Sequence, residues 1–266
     1  MNKSEELNKN LSENLRDWYY GVCQAWQKDG KNQDKLKQWI RKKYINGEEE
    51  QNSISFTEPF CTAVLDNYDT NKSTIMFVGQ EPNGYGDIKN FKNNVEQSIK
   101  ESQNWLIEFL KYNLKSPKPK EKEFYSVSNQ EIPYKKTAFI KALRTLPNDY
   151  NICWNNIDKI QYKTNNIKGI KLYSDDEKIL NGYKINDKNT LLLQEIGIVK
   201  PNIIIFAIGP SYKDSLEVSL NMKLSKECCP NKNKPIGKCF NIGTSQCFWT
   251  YHPRYCKFNI NSIKVE

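Results

Sequence analysis

Two apolar runs in this chain each end by delivering one ionisable side chain into a proline turn. The first is Ile75-Met76-Phe77-Val78-Gly79-Gln80-Glu81-Pro82-Asn83-Gly84-Tyr85-Gly86. The second is Cys247-Phe248-Trp249-Thr250-Tyr251-His252-Pro253, which carries the chain's only histidine. A carboxylate fixed just before a proline suits a general base or a holder of water. A neutral imidazole N–H can stabilise negative charge that develops on a carbonyl oxygen. Each residue also has a plainer reading, Glu81 as a turn cap and His252 as a satisfied structural histidine. Asn155-Asn156, near the end of a third apolar segment, add amides that both donate and accept hydrogen bonds. Gly79, Gly84 and Gly86 permit a close backbone approach, but their spacing matches neither a P-loop nor a dinucleotide fingerprint.

Delivering such groups to one place requires strands that run the same way. Residues 74–78, 150–157 and 203–208 read as buried strands, with further strands at 238–241 and 246–251. Helical spacing covers 5–45, through Trp18, Tyr19, Val22, Cys23 and Trp26, then Leu36, Trp39, Ile40 and Tyr44. It returns at 93–113, at 136–145, around Leu191–Ile196 and from Gly209-Pro210-Ser211 to about Leu220. Residues 114–136, with Ser116-Pro117-Lys118-Pro119-Lys120, read as a polar loop, and 162–187 as irregular. Alternating strands and helices predict an α/β fold, a three-layer α/β/α sandwich with a mostly parallel central sheet. An N-terminal helical extension over 1–52 is expected to precede an α/β domain over 53–266.

The chain has 266 residues, with 40 Lys+Arg against 31 Asp+Glu and a net charge of +9. A basic balance fits a polyanionic partner, because neutralised phosphates release counterions. Lysine- and asparagine-rich composition yields the same charge with no partner at all. Aromatic residues at 12% favour nucleic acid, since rings stack on bases. No apolar stretch follows Met1 and no run is long enough to span a bilayer. The expectation is a cytoplasmic protein with no membrane partner. Of eight cysteines, Cys61, Cys153 and Cys247 lie in apolar runs. The group Cys228, Cys229, Cys239, Cys247 and Cys256 lacks zinc-ribbon or iron–sulfur spacing, so neither metal nor cofactor is expected.

Taken in order, four segments resemble the motifs of the uracil-DNA glycosylase superfamily. Gly79-Gln80-Glu81-Pro82-Asn83 is similar to its first motif. Asn156-Ile157-Asp158-Lys159 resembles the middle motif, and Lys200-Pro201 through Ile208-Gly209 the proline-led central strand. Tyr251-His252-Pro253 resembles its His-Pro motif. The likeness spans roughly residues 56–256. It implies a monofunctional DNA glycosylase, a hydrolase active in base excision, that removes uracil or a modified pyrimidine flipped out of DNA. Glu81 would hold the attacking water and His252 would hydrogen-bond the departing base. Gln80, Asn83, Phe91 and Asn156 would contact that base. Gly84, Tyr85, Lys118, Lys120, Ser211, Arg254 and Tyr255 would contact single- or double-stranded DNA, with the protein a monomer. This chain departs from the family at Glu81, where aspartate is usual, and at Asn83, where a tyrosine bars bulky 5-substituents in the best-known branch. Asn83 opens that wall to larger pyrimidines, and both DNA repair and action on foreign modified DNA fit. The alternative is a catalytically inactive nucleic-acid-binding module of the same fold; a third reading is an interaction protein using its N-terminal helices.

Overall fold

The computed structural model describes residues 2–28, 55–80, 94–114, 125–127, 130–132, 137–163, 174–185 and 188–255. Its centre is a six-stranded sheet built from β1 (Ala63–Val64), β2 (Thr74–Gly79), β3 (Asn151–Asn156), β4 (Ile203–Ala207), β5 (Phe240–Ile242) and β6 (Ser245–Thr250). The spatial order is β5-β6-β4-β2-β3-β1. The four inner strands are parallel, and the short edge strands β1 and β5 pair antiparallel. Every residue of β2 and β4 is buried. Strands covered on both faces need unbroken apolar sequence, which is why Ile75–Val78 and Ile203–Ala207 show no polar alternation.

Alternate residues of each strand serve two separate cores, as the pleat requires. Met76, Val78, Cys153, Ile204, Phe206, Cys247 and Trp249 pack with Leu7 and Leu11 of α1 (Lys3–Lys28). Ile75, Phe77, Ile203, Ile205, Ala207 and Phe248 pack with Leu106, Phe109 and Leu110 of α2 (Val95–Leu114) and with Ile140 and Leu143 of α3 (Ala138–Leu143). Beyond α4 (Ser174–Gly182), the first core is completed by Leu192, Ile196 and Val199 of α5 (Leu191–Val199) and Leu216 of α6 (Lys213–Ser219).

The first helix starts at a reciprocal cap. The Asn2 side chain accepts from the Glu5 backbone N–H at 2.9 Å, and the Glu5 carboxylate accepts from the Asn2 N–H at 3.0 Å. Leu7, Leu11, Leu15, Trp18 and Val22 then recur at three- and four-residue steps and are all buried. The helix expected as an N-terminal extension therefore shares a core with the sheet. It runs to Lys28; the remainder of the expected 5–45 helix lies outside the described residues.

Two expectations need correction. Within the supposed loop 114–136, Tyr125–Val127 and Gln130–Ile132 pair as antiparallel strands. Within the supposedly irregular 162–187, Ser174–Gly182 is helical. The hairpin strands are three residues each and the helix is nine mostly polar residues, so both carry too few apolar residues for a period to show.

Candidate active site

The parallel strands bring their carboxyl ends to one edge of the sheet. From β2 the chain passes to β3 on one side and later to β4 on the other, so a topological switch point falls between β2 and β4. Gln80, the residue after β2, spans this point: its side-chain amide donates to the Ile208 carbonyl at 2.6 Å. On the other side, backbone bonds from Ile157 to Gly79 (3.0 Å) and from Asp158 to Gln80 (2.9 Å) prolong the β2–β3 pairing. Beyond β4, Gly209 turns with φ 77°, a left-handed value that side chains disfavour, and donates to Thr250 at 2.9 Å. The Trp249 indole closes this corner by donating to the Gly209 carbonyl at 3.2 Å.

Asn156 ends β3 and is 1% exposed. Its backbone N–H donates to the side-chain oxygen of Asn155 at 2.7 Å. Its side-chain Oδ1 accepts from the indole N–H of Trp154 at 3.3 Å. Its Nδ2 is buried and has no hydrogen-bond partner among the described residues. A buried donor left unpaired costs about 1–3 kcal/mol, so this one is a candidate for filling by a ligand. Gly79 makes room for the amide. A Cβ there would stand 2.5 Å from Asn156 Oδ1 and 2.9 Å from Cε2 of Phe139. Gly79→Ala is accordingly expected to displace both side chains and to destabilise the fold by about 1–3 kcal/mol, read from chemical denaturation.

Behind Asn156 lies a buried polar cluster. Lys159 donates to Thr62 Oγ1 at 3.0 Å, to Asn155 Oδ1, and to the two carboxylate oxygens of Glu195 at 2.9 and 2.8 Å. Asn155 Nδ2 donates to Glu195 at 2.9 Å, and Thr62 donates to Asn155 at 2.8 Å. The ammonium also sits 5.6 Å from the centroid of the Phe60 ring. The cluster links β3 to α5 and fixes the main chain from which Asn156 projects.

His252 is half-buried just past β6. Its Nδ1 accepts from the Arg254 backbone N–H at 3.1 Å. In the neutral ring the proton then resides on Nε2, which makes that atom the donor of the ring. Burial, and secondarily the Arg254 charge, push its pKa below the ordinary 6.5. The imidazole stacks against Phe139, with centroids 6.1 Å apart and planes at 23°. Phe139 is thus the side chain that joins the Gly79–Asn156 corner to His252. It lies in the first turn of α3, where Thr137 caps the helix by accepting from the Ile140 N–H at 3.3 Å.

Of the residues singled out in the sequence, Gln80, Asn156 and His252 come to this edge. Ser211, Arg254 and Tyr255 stand exposed on the turns that follow β4 and β6, Tyr255 at 72%. Glu81, Asn83, Gly84, Tyr85, Phe91, Lys118 and Lys120 lie outside the described residues. The aromatic ring found at the edge is Phe139, which the sequence reading did not single out; Trp154, Thr62 and Glu195 were also missed. Trp154 was accessible in principle, since residues two apart on a strand share a face with each other.

Cys61, Cys153, Cys228, Cys229, Cys239 and Cys247 are free thiols. Burial raises Cys61 and Cys247 to about 12 and pushes Cys153 up as well, which keeps them protonated and unreactive. Among the described residues no group of three or more His, Cys, Asp or Glu is placed to hold a metal ion. No helix among them is long and apolar enough to cross a membrane. A cavity of about 470 Å³ opens at the opposite end of β2 and β3, against Tyr68, Lys72, Lys111 and Tyr150. Gln80, Asn156, His252 and Phe139 do not line it. No protein-family model matches the chain, and no curated protein matches it.

Proposed function

We propose that this chain is a monofunctional DNA glycosylase of the uracil-DNA glycosylase type, acting on uracil or a modified pyrimidine flipped out of DNA. In this reading the two helix groups and the sheet form a three-layer α/β/α body. The observation that carries it is the placing of two donors at one carboxyl edge, on either side of the switch point. One is the unpartnered Nδ2 of Asn156 and the other is the Nε2–H of His252. Uracil and its 5-substituted forms offer carbonyl acceptors at both O2 and O4, so two separated donors complement them.

In the reaction the C1′–N1 bond breaks and its electron pair leaves on the base. The oxygen of water bonds to C1′, and a proton from that water passes to Glu81. Glu81 follows Gln80 directly in the sequence, and Gln80 is held by its bond to Ile208. The Glu81 carboxylate also stabilises the cationic sugar. His252 donates to O2 of the departing anion, where charge accumulates. Asn156 donates to the far edge of the base, and Phe139 provides an aromatic surface between them. Arg254, Ser211 and Tyr255 meet the DNA on the same edge.

The test is base release measured by mass spectrometry, with wild type and Glu81→Gln incubated with DNA carrying uracil, thymine, or 5-substituted uracils and cytosines. Release of a base by wild type, lost in the variant, is the expected result. DNA binding without release of any base would overturn it in favour of the inactive nucleic-acid-binding module.

A further inference from the structure

The orientation of the Asn156 amide is set by a neighbour. An indole N–H can only donate, so the atom facing Trp154 Nε1 must be the amide oxygen; an NH₂ there would set donor against donor. The 3.3 Å contact therefore turns Oδ1 toward the indole and leaves Nδ2 as the free group. Among the described residues, the indole is the hydrogen-bond partner of this amide. Gly79 has no side chain, and the Asn155 oxygen engages the Asn156 backbone N–H rather than its amide. Trp154 itself is held rigidly, its ring packed against Phe60, Phe109 and Phe139 at centroid distances of 5.1, 5.9 and 5.2 Å.

We infer that Trp154 is a positioning residue that locks the Asn156 amide with its donor toward the ligand, and that this lock selects pyrimidines with a carbonyl at C4 over those with an amine. The selectivity rests on the glycosylase reading; the lock does not. A C4 carbonyl accepts from Nδ2, whereas a C4 amine confronts it with a second donor. Without the indole N–H the amide is free to rotate by half a turn and offer its oxygen to the amine.

The experiment compares wild type with Trp154→Phe, which retains an aromatic ring but has no donor. Substrates are matched oligonucleotides carrying uracil or cytosine, and 5-hydroxymethyluracil or 5-hydroxymethylcytosine. Wild type is expected to release the carbonyl member of each pair. The variant is expected to narrow the ratio of kcat/KM values within a pair by roughly tenfold, the worth of about one neutral hydrogen bond. An unchanged ratio, or a wild type that prefers the amine, would overturn the selectivity.

A second readout needs no activity. The indole ¹⁵N–¹H signal of Trp154, assigned by its loss in Trp154→Phe, is followed in Asn156→Leu. Loss of the acceptor should move this signal while the other five of the six tryptophans hold theirs, which also checks the fold. If no base is released but the signal moves, the glycosylase reading falls and the lock stands. A signal that does not respond overturns the lock.

Discussion

Glu195→Leu is expected to lower the unfolding free energy by about 3–5 kcal/mol, because it strands the Lys159 ammonium in the core without its counter-charge. Lys159 is 3% exposed and Glu195 0% exposed, so water cannot replace the lost carboxylate. The variant also removes the carboxylate that accepts from Asn155 Nδ2, leaving it the Met76 sulfur at 3.8 Å. Against a total stability of about 5–15 kcal/mol for a folded domain, that loss leaves a protein near its threshold. Chemical denaturation gives the value directly. A partner variant, Lys159→Met with Glu195→Leu, should recover a large part of it, because an apolar pair fills a similar volume with no charge to desolvate. Equal loss in the single and double variants would mean that the cluster stabilises through its amide bonds and not through the ion pair.

Under the proposed glycosylase function, His252→Ala should reduce base release by about 10²–10³-fold in kcat, the usual effect of removing one donor from a developing anion. Binding of DNA should change far less, since Arg254 and Ser211 remain exposed on the same edge. The same variant has a signature in stability. The folded protein holds His252 neutral at pH values where the unfolded chain, with its ordinary 6.5, takes up a proton. A lowered pKa means that the unfolded state binds more protons as pH falls below 6.5, so this contribution is present above that value and lost below it. Between about pH 7.5 and about pH 5.5 the wild type should lose more stability than His252→Ala. Parallel losses would show that the ring is not shielded as its surroundings imply.

The parts of this molecule legible in the sequence are those where chemistry and burial coincide. β2, β4 and β6 announce themselves because both faces are covered, which demands the unbroken runs Ile75–Val78, Ile203–Ala207 and Cys247–Trp249. Gln80 and His252 stand out as polar residues just past two of those runs, and Asn156 as the polar end of β3. Glu195 reads as a polar residue of an apolar helix, and its bonds to Lys159 and Asn155 explain why it is buried. Phe139, beside Ile140 in a short helix, looks like any core aromatic; its place against His252 depends on how α3 lies over the sheet. Trp154 reads as a strand residue, but the role of its N–H exists only once Asn156 is beside it on the same face. The Ser174–Gly182 helix stayed hidden because it contains little apolar sequence to reveal a period.

The first helix has a consequence for how the chain is made. The Trp18 indole donates to the carbonyl of Leu180 at 3.0 Å, 162 positions away, and Leu7 and Leu11 pack with Ile196, Ile204 and Trp249. A ribosome therefore delivers this helix before most of its partners. At about 5–20 residues per second, its apolar stripe waits many seconds before the matching surface emerges. With contacts this distant, loop closure must precede their reward, which slows folding and exposes nascent chains to aggregation. Chains arrested before β4 should engage a holding chaperone through Leu7, Leu11, Leu15 and Trp18, and release it only as the last strand is synthesised.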